Sequence, residues 1–513
     1  MTWSAGQTIT HRLINFTLPP LPEQAGSFLW FLAIIVTGLL LVWLPLQWVL
    51  LLLAGVIFLI VTLLKPLLGL YALIPIIPFS TLLATAPGGF KVGLMELVLV
   101  WGLMAWLVQR SVQATSSVAQ PIRLLPKLGS APLAGPFILF LGGVLLSWLT
   151  TFSIGASLIE TAKWVEMLAL YLFVVSLLSP KNIPWLVAII LLAGAAQALL
   201  GIYQFVFKVG PEGFLLFDGR FLRAYGSFAQ PNPYAGYLGL VLPLALALTY
   251  WQLTKSKGQA YANNLTFSRH YLLLILYAVC LVLLLAALFA SQSRGAWLGA
   301  AVAMGVTLAA QNKNIALATA MLALVGVVVA LAGWFNWGLV NTGQVLQRFS
   351  DAFAIAANTD ITATEVNDAN FATIERLAHW QAAQAMWRDQ LWLGVGFGNY
   401  AAIYPAYAIG RWLDPLGHAH NYLLNIGAEA GLVGIGAYLI FWILVFKVSW
   451  LALWQSYGFQ KAVVAGGIGI LVHLHIHNLF DNLFVQGMYL HIAVVLAFIS
   501  IIYQCNLTPI KES

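Results

Sequence analysis

Charge is what this sequence most lacks. Asp, Glu, Lys and Arg make up 8% of its 513 residues, against about a quarter in a soluble domain, so water is not the main solvent of the folded chain. Cysteine is nearly absent. Cys280 and Cys505 both sit inside apolar runs, which excludes a disulfide framework and a thiolate metal centre. There is no basic tract of the kind that binds nucleic acid, and no internal repeat. The opening, 1–27, is polar and weakly charged, and no small-residue cleavage site closes the apolar run that follows it. That run is therefore expected to be a retained helix and not a signal peptide.

What is present in quantity is apolar length. Hydrophobic residues are 61% of the chain, gathered in runs near the roughly 20 residues a helix needs to cross about 30 Å of hydrocarbon. They predict an all-α, polytopic transmembrane bundle of about fourteen spans, at 28–45, 47–64, 67–84, 92–109, 134–150, 160–178, 184–206, 234–251, 270–290, 294–311, 314–333, 421–447, 461–479 and 485–503. An even count puts both termini in the cytoplasm. Lys and Arg then collect on that side, for example Lys65, Arg110, Lys181, Lys255, Lys447 and Lys461, and leave the other side net acidic, as the positive-inside rule requires.

The expected organisation is a cytoplasmic tail (1–27), helices with an outer loop at 207–233 (28–333), a large periplasmic helical loop (334–420), three further helices (421–503) and a cytoplasmic tail (504–513). A structureless loop as long as 334–420 would be unusual. The run FATIERLAHWQAAQAMWRD, with Ile374, Leu377, Trp380 and Ala383 at helical spacing, predicts a helix from Asn370 to Arg388 lying over the bundle mouth, with Thr373 near its start.

Polar groups at membrane depth are costly and point to function. Arg294, in the turn SQSRGAWLG between two apolar helices, reads either as an interfacial arginine reaching lipid phosphate or as a fixed fork for two phosphate oxygens. Asp218, Arg220 and Arg223 precede GSFAQPNPYAGY, whose two prolines are expected to prevent regular helix and hold Asn232 on a turn at a helix entrance. Arg223 beside those unsatisfied N–H groups could form an anion site. In GHAHNYLLNIGAEAG, His420 is the preferred general base, His418 points elsewhere as support, and Asn421 and Asn425 are expected one turn apart on one helix face. In HLHIHNLFDN, His473, His477 and Asp481 fall on one stripe if the helix continues that far. Residues eight apart are about 12 Å apart along a helix axis, so an orienting network is expected there and not a metal. Asp218, Glu375, Asp414 and Glu429 are the acidic alternatives for the base.

These residues resemble the O-antigen ligase and O-antigen polymerase superfamily, multispanning enzymes that act on undecaprenyl-diphosphate-linked glycans at the outer face of the bacterial inner membrane. The resemblance is carried by Arg223 with GSFAQPNPYAGYL, by SQSRGAWLG, by Glu375-Arg376 with the run from Trp380 to Gly398, and by HAHNYLLNIGAEAGLVG. It spans roughly residues 200 to 445, with a weaker echo at His477 and Asp481. It implies that Arg223 and Arg294 grip the donor diphosphate and that His420 activates the acceptor hydroxyl. Transfer then needs no metal, cofactor or nucleotide sugar.

Arg220, Asn232, Arg376, Asn421 and Arg411 are expected to bind substrate, and His473, His477, Asp481 and Glu429 to form a supporting network. The expected partners are the lipid-linked donor, a lipid or glycan acceptor and membrane lipids, without nucleic acid. A polysaccharide polymerase is one alternative. The chain also resembles cyanobacterial proteins labelled as bicarbonate transporters, which makes a small-anion transporter the other.

Overall fold

The computed structural model describes residues 45–85, 92–116, 131–216, 219–255, 264–315 and 370–507, with single positions 31, 35, 36, 38, 361 and 366. The expected spans 28–45 and 314–333 lie largely outside the described residues, as do Asp218, most of 334–369 and the tails 1–27 and 508–513. The chain divides into two compact units. One holds the described residues 45–73 and 96–116, and the other holds 74–95 and 131–507.

In the first unit α1 (Leu46–Leu64) is apolar on every face, and only Val49 and Thr62 in it are buried. A helix of this kind is solvated by lipid, where its backbone groups find partners only within the helix. Two further helices, α2 (Pro66–Ile76) and α3 (Leu94–Ser116), have parts in both units. The expected span 67–84 is interrupted: α2 ends at Ile76 and tighter 3-10 turns follow over Ile77–Leu83, in the proline-rich stretch around Pro75 and Pro78.

The second unit is built from α4 (Ala134–Leu146), α5 (Ile154–Leu177), α6 (Ile183–Phe207), α7 (Pro231–Gly239), α8 (Leu242–Lys255), α9 (Asn264–Ala290), α10 (Arg294–Gln311), α11 (Phe371–Asp389), α12 (Tyr422–Trp454), α13 (Gly458–His477) and α14 (Met488–Leu507). Sheet is confined to two short antiparallel ladders among the described residues, β1 (Ala84–Thr85) with β2 (Val92–Gly93) and β3 (Leu215–Leu216) with β4 (Phe221–Leu222). Eight described helices are long and apolar enough to cross a membrane: Leu46–Leu64, Leu94–Val112, Pro180–Phe207, Pro231–Lys255, Arg269–Ala290, Tyr422–Trp454, Gly458–His477 and Met488–Leu507. Fourteen spans were expected; the described residues supply these eight.

Hydropathy does not set the place of a helix in the unit. The Met488–Leu507 span is 83% buried, whereas the more apolar Arg269–Ala290 is 22% buried and turns most of its surface outward. Helix α14 packs against α5, α12 and α13, and α13 packs against α8 and α10.

Two helices are broken. The expected span 234–251 divides into α7 and α8 at Leu240–Val241. Helix α12 breaks at Gly431, whose φ of +61° and ψ of −160° leave the helical region. A side chain there would meet the Trp392 backbone at 2.4 Å, so only glycine fits. The N–H groups freed by the break donate to neighbours: Leu432 to Leu391 O at 2.9 Å and Val433 to Trp392 O at 3.2 Å. The short chain segment after α11 thus fills the gap that an interrupted helix in a membrane must close.

Candidate active site

At one end of the second unit the starts of α5, α7, α10 and α12 meet the ends of α6, α9 and α13. Backbone bonds tie them together, Ala224 N–H to Ala290 O at 3.0 Å and Tyr422 N–H to Asn478 O at 2.8 Å. The α4–α5 turn is pinned to the chain after α11 by Asn399, which is fully buried. Its Oδ1 accepts from Ser153 N–H at 2.6 Å, and its Nδ2 donates to Thr151 Oγ1 at 2.7 Å and Ser157 Oγ at 2.8 Å.

Three guanidinium groups gather here. The β3–β4 hairpin delivers Arg223, whose Nε donates to Ser291 O at 3.0 Å and whose Nη2 donates to Asn232 Oδ1 at 2.9 Å. Pro231 and Pro233 do not prevent helix. Both lie in the first turn of α7, where a missing N–H costs nothing, and they carry Asn232 into position beside Arg223. Arg294 is the first residue of α10, is exposed, and makes no hydrogen bond among the described residues. Arg376 comes from α11, and its Nε donates to Phe480 O at 3.2 Å.

Burial lowers the pKa of Arg223, and the charges of Arg376 and Arg294 lower it further, while Asp481 opposes them. Among the described residues no carboxylate lies within salt-bridge distance of any of the three arginines. A cation at the start of a helix also opposes the helix dipole. Arg294 is therefore electrostatically unfavourable where it stands unless an anion joins it.

Beside the arginines is an imidazole group. His420 precedes the α12 N-cap with a left-handed φ of +52°, an uncommon state for a residue with a side chain. Its backbone is held on both sides. His420 N–H donates to His418 Nδ1 at 3.1 Å, and Trp380 Nε1 donates to His420 O at 3.4 Å. Its Nδ1 and the His418 Nε2 each lie 3.7 Å from Asp481 Oδ1. Both His420 ring nitrogens are shielded and have no hydrogen-bond partner.

Burial alone would raise the Asp481 carboxyl, but His420, His418 and His477 around it bring it well below the ordinary carboxylate range. Burial brings His418 down to about 4, against the pull of Asp481. His379, stacked on Tyr404 at 4.7 Å and edge-on to His420 at 5.7 Å, is likewise brought down to about 4 by burial. Sequence reasoning missed His379. It lies four residues from Glu375 on the predicted helix, and that shared face was the available signal. Among the described residues, His418, His420 and Asp481 also form the group whose ligand atoms, all within 4.8 Å of one another, are close enough for a cation.

Other expected site residues take structural positions. Asn421 is the N-cap of α12, not a residue on its face, and its Oδ1 accepts from Leu424 N–H at 3.1 Å. Asn425 Oδ1 accepts from Ala419 N–H at 3.0 Å. Glu429 Oε1 accepts from Tyr400 N–H at 3.0 Å, and Asp414 Oδ1 from Leu416 N–H at 3.0 Å. Helix α13 ends at His477, so Asp481 lies in the turn beyond it and not on its stripe, though it still faces His477. His473 is fully buried in a notch where a Cβ on Gly239 would lie 2.0 Å from its ring. Thr373 does not start α11, because Asn370 takes the N-cap position. Arg220 is exposed beside the hairpin turn, and Arg411 lies 5.5 Å over Trp412; no contact brings either to the three arginines among the described residues.

No curated protein matches the chain. Arg223 and Asp481 fall outside the one matched segment, on either side of it, while Arg294, Arg376 and His420 fall within. Residues 279–439, from the middle of α9 to the middle of α12, match the family profile described as O-antigen ligase.

Proposed function

We propose that the protein transfers a glycan from a polyprenyl-diphosphate carrier to a hydroxyl acceptor at the outer face of the bacterial inner membrane. In this reading Arg223, Arg294 and Arg376 hold the diphosphate, supplying fixed positive charge where negative charge builds up as the sugar–phosphate bond breaks. The acceptor oxygen attacks the anomeric carbon, its proton passes to His420, and the polyprenyl diphosphate departs with the bonding electron pair. Diphosphate is already a good leaving group, so no acid is needed to protonate it. Asp481 orients the His420 ring and stabilises it once protonated. Helix α11 and the chain after it cover the site and reduce access of water.

One observation carries the reading. A shielded imidazole with no hydrogen-bond partner stands by Asp481, whose charge also reaches Arg223, one of three arginines with no carboxylate in salt-bridge reach among the described residues. A polymerase uses the same donor chemistry with a glycan acceptor. The transporter reading requires a route through the membrane, commonly built on broken helices. At Gly431 the break is filled by Leu391 and Trp392, and at Leu240 the carbonyl lies 3.2 Å from His491 Nε2, which favours surface chemistry.

The test is purified protein in liposomes, assayed for discharge of an undecaprenyl-diphosphate glycan and for bicarbonate flux. Discharge that disappears in His420→Ala is expected. Bicarbonate flux without discharge would overturn the reading.

A further inference from the structure

We propose that His418 is a positioning residue for His420, acting through its Nδ1 lone pair, and that the two histidines, gathered around Asp481, form a base assembly in place of a metal centre. The proposal rests on the reading of His420 as the general base.

Three atoms at 3.7 to 4.8 Å invite a cation, but the proton positions argue against one. His418 Nδ1 accepts the His420 backbone N–H at 3.1 Å, which requires a lone pair on Nδ1. A neutral imidazole with its lone pair on Nδ1 carries its proton on Nε2. The ring is neutral across the physiological range, because burial holds it down to about 4. The His418 Nε2–H therefore points at Asp481 and has no lone pair to offer an ion on that side.

The same contact explains how His420 keeps a left-handed backbone. Its N–H is taken by His418 and its carbonyl by Trp380, so an otherwise unfavourable conformation is fixed from both sides. With Nδ1 of His420 turned to the remaining reach of Asp481, its Nε2 is left as the free lone pair for an acceptor hydroxyl. Loss of the His418 acceptor would release the backbone and with it the aim of the ring. Donor binding would be untouched, because no arginine contacts His418 among the described residues.

The experiment exploits side-chain length. Asn places a polar atom where His418 has Nδ1, whereas Gln places one where it has Nε2. Steady-state discharge of a fluorescent undecaprenyl-diphosphate disaccharide is measured for His418→Asn, His418→Gln and His418→Ala. Melting temperatures serve as a check on folding. His418→Ala and His418→Gln should lower kcat by about tenfold or more at unchanged KM, a share of what a general base supplies. His418→Asn should stay within about threefold of wild type, and a chelator should change nothing.

Rescue by Gln but not Asn, equal loss in all three folded variants, no loss in any, or a requirement for added zinc or magnesium would each overturn the proposal. The tautomer gives an independent readout. In ¹⁵N-histidine-labelled protein His418 should carry its proton on Nε2, and a proton on Nδ1 would contradict the assignment. His420→Ala run in parallel keeps the two readings apart: full activity there would defeat the base assignment whatever the tautomer of His418.

Discussion

The two halves of the site are built on opposite principles. On one side like charges are brought together with no carboxylate in salt-bridge reach among the described residues, and Arg294 stands exposed at the positive end of a helix. On the other, His418, held neutral by burial, and His420 face one ionised carboxylate with little access to solvent. The arginine side is incomplete until an anion arrives. The histidine side is shielded, with the His420 backbone held from both sides and its ring nitrogens left without a partner until an acceptor arrives. A site that joins a mobile phosphorylated lipid to a precisely aimed hydroxyl needs both.

The largest expected effect is on the histidine side. His420→Ala should lower kcat by about 10² to 10⁴, the usual contribution of a general base, with little change in donor KM. On the arginine side the two main residues should separate. Both Arg223→Ala and Arg294→Ala should lower kcat/KM by about tenfold to a hundredfold, the range for a lost charge-assisted bond. Only Arg223→Ala should also lower the melting temperature, because Arg223 holds Ser291 O and Asn232 whereas Arg294 makes no hydrogen bond among the described residues. Equal melting in both variants would blur the distinction.

A smaller effect concerns pH. The Asp481 pKa is lower in the folded protein than the roughly 3.9 of a free aspartate, so its contribution to stability is complete above that value. It is lost as pH falls below that value toward the folded pKa. The melting-temperature gap between wild type and Asp481→Asn should therefore be present at pH 7 and close below about pH 4. The smallest effect is at the cap. Asn421→Ala should cost about 1 kcal/mol of stability, recovered by Asn421→Asp, with donor KM unchanged. A raised KM would return Asn421 to the substrate.

Long apolar runs made the helices legible. The expected spans 47–64, 184–206 and 485–503 each fall on a helix of nearly that extent, α1, α6 and α14. Local backbone chemistry was harder to read. Hydropathy across 234–251 is continuous, so the turn at Leu240–Val241 leaves no mark in it, and the break at Gly431 depends on the distant Trp392 backbone. The start of α5 at Ile154 was placed late, because the Glu160 and Lys163 pair, 2.5 Å apart, reads as a span end in composition while Ser153 caps the helix upstream.

At the site, Arg223, Arg294, Arg376 and His420 could be picked out because charge and imidazole are rare in this chain. The uses of Asn421 and Asn425 could not. Asparagine serves caps and turns as readily as ligands, and only the backbone N–H groups they accept from decide between the two.

The division of labour is tested most directly by the affinity of undecaprenyl diphosphate itself, without a glycan, for wild type, His420→Ala and the double variant Arg223→Ala/Arg294→Ala. Binding should persist in His420→Ala within about threefold and fall by about a hundredfold or more in the double variant, more steeply as salt is lowered in the wild-type reference. Wild-type affinity in the folded arginine variant, or equal loss in His420→Ala, would contradict the account.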